Sequence, residues 1–206
     1  MPTKKEKKKK NIIYLHLFKL LISFVSAYLS ISLPSSLTKS RMAEETQPKW
    51  KGKAMAVLKR STPDQIWPFL EEFCNLDRLF PDIHTCYRVE GSPGQPGLVR
   101  HCVGKFGWVN EKLLTIDPTN WSLSYQVLEN NFGLNNYVAT LKVLPTAKMG
   151  DDGKPAGCEI EWSFITDPIQ GMKLEDFVSY IDNSLQFMAK KMEDALNAQM
   201  QRFGMS

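Results

Sequence analysis

The sequence predicts an α+β fold: a curved, seven-stranded antiparallel sheet around a long C-terminal helix, with two short helices after the first strand. Three observations predict it. From His84 to Thr166 apolar and polar residues alternate in short runs, as strand side chains do when they point to opposite faces. The links between most runs are short (Lys105-Phe106-Gly107, Pro118-Thr119-Asn120, Asn130–Asn136), and hairpin-length links imply antiparallel pairing. From Lys173 to about Phe203 the period lengthens. Leu174, Phe177, Val178, Ile181, Leu185, Met188, Met192, Ala195, Leu196 and Met200 fall at three- and four-residue steps, the stripe of an amphipathic helix.

The elements follow in order. Trp50–Leu58 reads as the first strand. Thr62 is an N-cap, Pro63 takes the first helical position and Gln65 completes a capping box. Ile66, Phe69, Leu70 and Phe73 form the buried stripe of that helix, with Trp67 at its edge. Asn75–Phe80 continues as a second short helix, stopped by Pro81. His84–Glu90 is a strand, and Gly91–Gly97 is too rich in Gly and Pro to join a ladder. Leu98–Gly104, Trp108–Asp117, Trp121–Glu129, Tyr137–Pro145 and Cys158–Thr166 complete the sheet. Leu123, Tyr125, Val127, Ala139, Leu141, Ile160 and Phe164 share its apolar face. A helix of roughly 30 residues reaches about 45 Å and can cover that face.

Charge divides the chain. Residues 1–41 hold nine basic residues and one acid, so residues 42–206 carry 17 basic and 21 acidic side chains, a net −4. An acidic body gives no electrostatic basis for nucleic-acid binding. The leader, 1–41, joins a lysine run to an apolar stretch from Ile12 to Leu33. It reads as a secretory signal or weak anchor, or as translated upstream sequence before a start at Met42. It lies outside the expected fold, followed by a disordered lead-in at 42–49 and a ligand-binding domain at 50–203. The expected location is cytoplasmic, or secretory or membrane-anchored if the leader is genuine. Cys74, Cys86, Cys102 and Cys158 have no metal-ligand spacing and read as reduced core cysteines. Only three histidines occur, one of them in the leader, so no metal and no other cofactor is expected.

Two charges stand where charge is costly. Glu111 shares its strand face with Val109, Leu113 and Thr115, and Arg100 falls between Leu98 and Cys102. A buried charge persists only when paired or hydrogen-bonded. Opposite charges on neighbouring strands therefore mark either a polar spot inside a cavity or a structural ion pair.

The order of elements resembles the Bet v 1/START-like helix-grip superfamily, which includes polyketide cyclases, and is most similar to plant lachrymatory-factor-synthase-like proteins. The residues carrying the likeness include Pro48–Lys53, Trp67-Pro68-Phe69-Leu70, Val99-Arg100, Asn110-Glu111-Lys112-Leu113, Asn136–Thr140 and Trp162-Ser163-Phe164. The resemblance implies a cavity between sheet and helix holding a small hydrophobic molecule. Tyr125, Val109, Leu113, Trp162, Phe177 and Ile181 are the candidate lining residues, and each also reads as plain core. It further implies catalytic roles for Arg100, Glu111 and Tyr137 in isomerising a sulfenic acid, a proton relocation in which the sulfenic proton leaves and a carbon gains one. Gly107 and Ser184 stand where the synthases carry aromatic residues, which implies a wider or differently shaped pocket. A non-catalytic carrier or sensor, meeting a protein partner through Gly91–Gly97 and Asn130–Asn136, is the alternative.

Overall fold

The computed structural model describes residues 48–146 and 157–202. The leader, most of the lead-in, the centre of the Thr146–Gly157 turn and Phe203 lie outside the described residues. Seven strands form one antiparallel sheet: β1 (Trp50–Leu58), β2 (Ile83–Glu90), β3 (Val99–Gly104), β4 (Gly107–Asp117), β5 (Ser122–Asn130), β6 (Val138–Pro145) and β7 (Cys158–Thr166). Their spatial order is β1-β7-β6-β5-β4-β3-β2, so β1 and β2 are the two edges. Between them in sequence lie α1 (Pro63–Glu71) and α2 (Leu76–Leu79), and α3 (Leu174–Arg202) closes the chain. This is the predicted helix-grip architecture.

Local chemistry starts the first helix as read from the sequence but stops it earlier. At α1 the Thr62 backbone N–H donates to Gln65 Oε1 over 2.9 Å, and Pro63 opens the first turn. The helix ends at Glu71, so Phe73 follows it rather than extending its stripe. Trp67 is fully buried at the centre of the packing, whereas Phe69 is only partly buried. The buried face therefore widens to include Trp67 beside Ile66 and Leu70. Its indole Nε1 is the one buried side-chain nitrogen or oxygen among the described residues without a hydrogen-bond partner.

The α3 helix packs along β1 and β7 and touches both short helices. Phe177, Ile181, Leu185, Met188 and Met192 are buried on it, whereas Met200 is exposed, because the last turns pass beyond the sheet. No helix among the described residues is long and apolar enough to cross a membrane.

Two β-bulges reshape the central strands. The β4–β5 register slips between Leu113 and Thr115, so the extra residue Leu114 turns Thr115 outward. Thr115 is exposed and its hydroxyl lies 2.6 Å from that of Ser124 on the outer face. The expectation that Thr115 shares the face of Glu111 therefore fails one residue past Leu113. On β5, Leu128 is the extra residue and is exposed. At the sheet's edge, β2 carries two further irregularities, between Ile83 and Thr85 and between Arg88 and Glu90.

Candidate functional site

A tight hairpin sets the site. Gly104 pairs with Gly107 around Lys105-Phe106, and counting back along both strands puts Arg100 opposite Glu111. Both side chains point to the concave face, where Arg100 is 4% and Glu111 8% exposed. Arg100 Nε donates to Glu111 Oε2 over 2.7 Å and Nη2 reaches the same oxygen at 2.6 Å. The guanidinium thus holds one carboxylate oxygen twice, and Oε1 lies outside its fork.

The rest of the guanidinium is held from the segment that follows α1. Its Nη1 donates to the carbonyl of Phe73, two residues beyond the last helical residue. The guanidinium carbon sits 3.7 Å above the centre of the Phe73 ring and 5.3 Å from that of Tyr125. Burial opposes the charge on Arg100, but the adjacent Glu111 carboxylate, together with smaller contributions from Cys102, Tyr125 and Cys86, outweighs it, so the Arg100 pKa is raised.

Aromatic rings lead from this pair to α3. Phe73 lies 5.9 Å from Tyr125, Tyr125 6.2 Å from Tyr137, and Tyr137 6.2 Å from Phe177 in an edge-on contact. Trp162 Nε1–H donates to the Tyr137 hydroxyl over 3.2 Å, and the Tyr125 hydroxyl faces it. Burial pushes the phenol of Tyr137 up, against the pull of these two neighbours. Tyr125 is raised for the same first reason, reinforced by Tyr137 and Glu111.

The predicted residues are thus largely gathered. Arg100, Glu111, Tyr125, Tyr137, Trp162 and Phe177 form one connected cluster. Leu113 is fully buried opposite Tyr125. Val109 is half-buried opposite Cys102, toward the hairpin end, and Ile181 lies one turn beyond Phe177 in the core. Three neighbours escaped the sequence reading. Phe73 supplies both a ring and a carbonyl, and no local signal in the sequence marks the helix end before it. Cys86, on β2, meets Cys102. Tyr180, half-exposed, stacks on Phe177.

Two expectations about shape need correction. Gly107 leaves no extra space: its φ is +144°, and a Cβ there would collide with the Asn131 side-chain amide, whose Oδ1 accepts the Trp108 N–H at 2.8 Å. The Asn131 amide fills the place where a side chain would stand. The loops Gly91–Gly97 and Asn130–Asn136 leave opposite ends of the strands, so they do not build one surface. A groove of about 730 Å³ lies instead at the Asn130–Asn136 end, walled by Trp108, Val127, Leu134, Asn136 and Asp167 among others. None of the predicted site residues lines it, although Val127 is the ladder partner of Glu111. Among the described residues no cluster of His, Cys, Asp and Glu is arranged to hold a metal ion.

A concave antiparallel sheet closed by a long helix, with a polar pair set in an aromatic interior, defines an α+β helix-grip domain. Residues 55–203 match the family described as polyketide cyclase/dehydrase and lipid transport, and the chain belongs to that family. The solved structure of XoxI from Bacillus cereus is similar, with a TM-score of 0.55 and 19% identity over 72% of this chain and 95% of that one. At that identity the likeness is one of fold. Family membership points to a small hydrophobic ligand.

Proposed function

We propose that the domain binds a small hydrophobic molecule between the sheet and α3, and that Glu111 moves a proton on it. The observation that carries this reading is the one-sided grip of Arg100 on Glu111. With Nε and Nη2 both on Oε2, the carboxylate is fixed while Oε1 is left to meet a ligand. Tyr137 adds a hydroxyl: its oxygen already accepts from Trp162, which leaves its own proton to donate to a ligand. An isomerisation like that of the lachrymatory-factor-synthase-like proteins fits these groups. Glu111 takes the S–O–H proton of an alkenyl sulfenic acid and a carbon of the same molecule gains one, with no net change in composition. Arg100 and the Tyr137 hydroxyl hold the oxygen as charge develops.

The test is turnover of an alkenyl sulfenic acid generated in situ by the full chain and by Glu111→Gln. The amide keeps a carbonyl for Arg100 but cannot take the proton. Thial S-oxide formation should disappear in the variant while a saturated alkyl sulfoxide still binds. Equal turnover by both proteins overturns the reading, and urea unfolding of the variant shows whether the fold has survived.

A second reading is favoured by the groove beside Asn130–Asn136. In a non-catalytic carrier or sensor, the occupied cavity alters that loop and a partner protein reads the change. Wild-type protein would then bind the sulfoxide without turnover, and native mass spectrometry of the protein from its source would retain a small apolar ligand.

A further inference from the structure

Cys86 and Cys102 are ladder partners across β2 and β3, with Sγ atoms 2.8 Å apart, and both are free thiols. Directly opposed residues in an antiparallel pair have Cα atoms about 4.5–5.5 Å apart. That lies inside the span of about 4.4–6.8 Å that a disulfide bridges, so the backbone spacing is compatible with the bond. The two differ in access. Cys102 is 3% exposed on the concave face, two residues from Arg100, whereas Cys86 is only partly buried on the edge strand.

The surroundings also divide their chemistry. The hydrogen bond with Cys102 lowers the Cys86 pKa, desolvation opposes it and the Arg100 charge lowers it further. The thiolate is the reactive form of cysteine, and a nearby guanidinium favours it. Cys74 also lies near Arg100, but burial raises its pKa. Cys158 sits away on β7, where burial pushes its thiol up to about 12.

We propose that Cys86 and Cys102 form a reversible redox pair that reacts with hydroperoxides, Cys86 attacking and Cys102 resolving. The Cys86 thiolate attacks the terminal peroxide oxygen, the O–O bond breaks, and an alkoxide or hydroxide leaves and is protonated by water. Cys86 is now a sulfenic acid. The Cys102 sulfur displaces its hydroxyl, the S–S bond forms, and the Cys102 proton departs with the hydroxyl as water. Two thiols lose two electrons in all, and the peroxide is reduced to water and an alcohol, or to two waters. The pair needs no substrate in the cavity, so this inference stands apart from the proposed isomerisation.

Tryptic peptides separate the candidates, because Cys74, Cys86 and Cys102 are divided by Arg78, Arg88 and Arg100. The reduced full chain is treated with hydrogen peroxide, blocked with N-ethylmaleimide and digested without reductant. The expected product links the peptides Leu79–Arg88 and His101–Lys105, disappears with dithiothreitol under native conditions and returns with fresh peroxide. In Cys102→Ser, dimedone captures a sulfenic acid on Cys86; in Cys86→Ser, Cys102 gives no adduct. Three results overturn the proposal: maleimide on both cysteines after peroxide, a bridge through Cys74, or a bridge that dithiothreitol does not open in the folded protein.

Discussion

Gly52 lies directly opposite Phe164 across the β1–β7 ladder, and a Cβ on Gly52 would fall 2.7 Å from the Phe164 ring and 2.9 Å from Val178 of α3. The glycine lets the ring and the helix close over β1 together. Gly52→Ala should destabilise the domain by about 1–3 kcal/mol, the usual cost of overpacking a filled core. The urea midpoint measures it. A second substitution, Val178→Ala, should recover part of the loss, and an unchanged midpoint in Gly52→Ala would show that the contact yields freely.

Arg100 is expected to matter for folding as well as for chemistry. Arg100→Met leaves Glu111 buried without its cation, which costs about 3–5 kcal/mol in comparable cases. Removing both charges in Arg100→Met/Glu111→Leu should cost less than the single change, because no uncompensated charge remains. Equilibrium unfolding of the three proteins forms the comparison. A double variant weaker than the single one would mean that the packing of the guanidinium on Phe73 outweighs the pairing.

Alkaline pH should weaken the fold through Tyr125 and Tyr137. Both phenols have pKa values raised above the ordinary 10.0, so the folded state holds their protons more tightly than the unfolded chain. Their contribution is fully present below pH 10.0 and is lost as pH rises toward their folded values. Tyr137→Phe should flatten that alkaline decline. At neutral pH it should cost about 1–3 kcal/mol, since the Trp162 N–H loses its acceptor. Urea midpoints measured across the pH range test both parts.

Gly107 provides a fourth expectation. Gly107→Ala should destabilise by roughly 1–3 kcal/mol, from a φ that L-residues rarely adopt and from the collision with Asn131. Combining it with Asn131→Ala removes the collision but not the backbone strain, so thermal melting should show partial recovery. Full recovery would assign the whole cost to the amide.

Much of this site could be read from residue order because short-range rules govern it. Alternation alone placed Arg100 and Glu111 on one face, and a hairpin this tight leaves little freedom in which residues oppose each other. The long helix was equally plain, since Phe177, Ile181, Leu185 and Met188 repeat without interruption. What escaped depended on contacts distant in sequence. The Phe73 carbonyl meets Arg100 across 27 positions, and alternation says nothing about where a helix end will settle. Cys86 and Cys102 were hidden because a Gly- and Pro-rich loop and two register irregularities separate their strands. Thr115 was misplaced because a single bulge reverses every face beyond it.

The uneven register of β2 has a consequence for life at high concentration. An outermost strand offers its free amides and carbonyls to any neighbouring chain, and a flat one invites stacking into larger assemblies. Here Tyr87 and Val89 are exposed on that strand, the apolar kind of side chain that would favour such growth. The slips at each end of β2 break the straight row of backbone groups, and Arg88 and Glu90 set charges along it. The same irregularity that hid the cysteine pairing from the sequence also makes this border a poor template for a second copy of the chain.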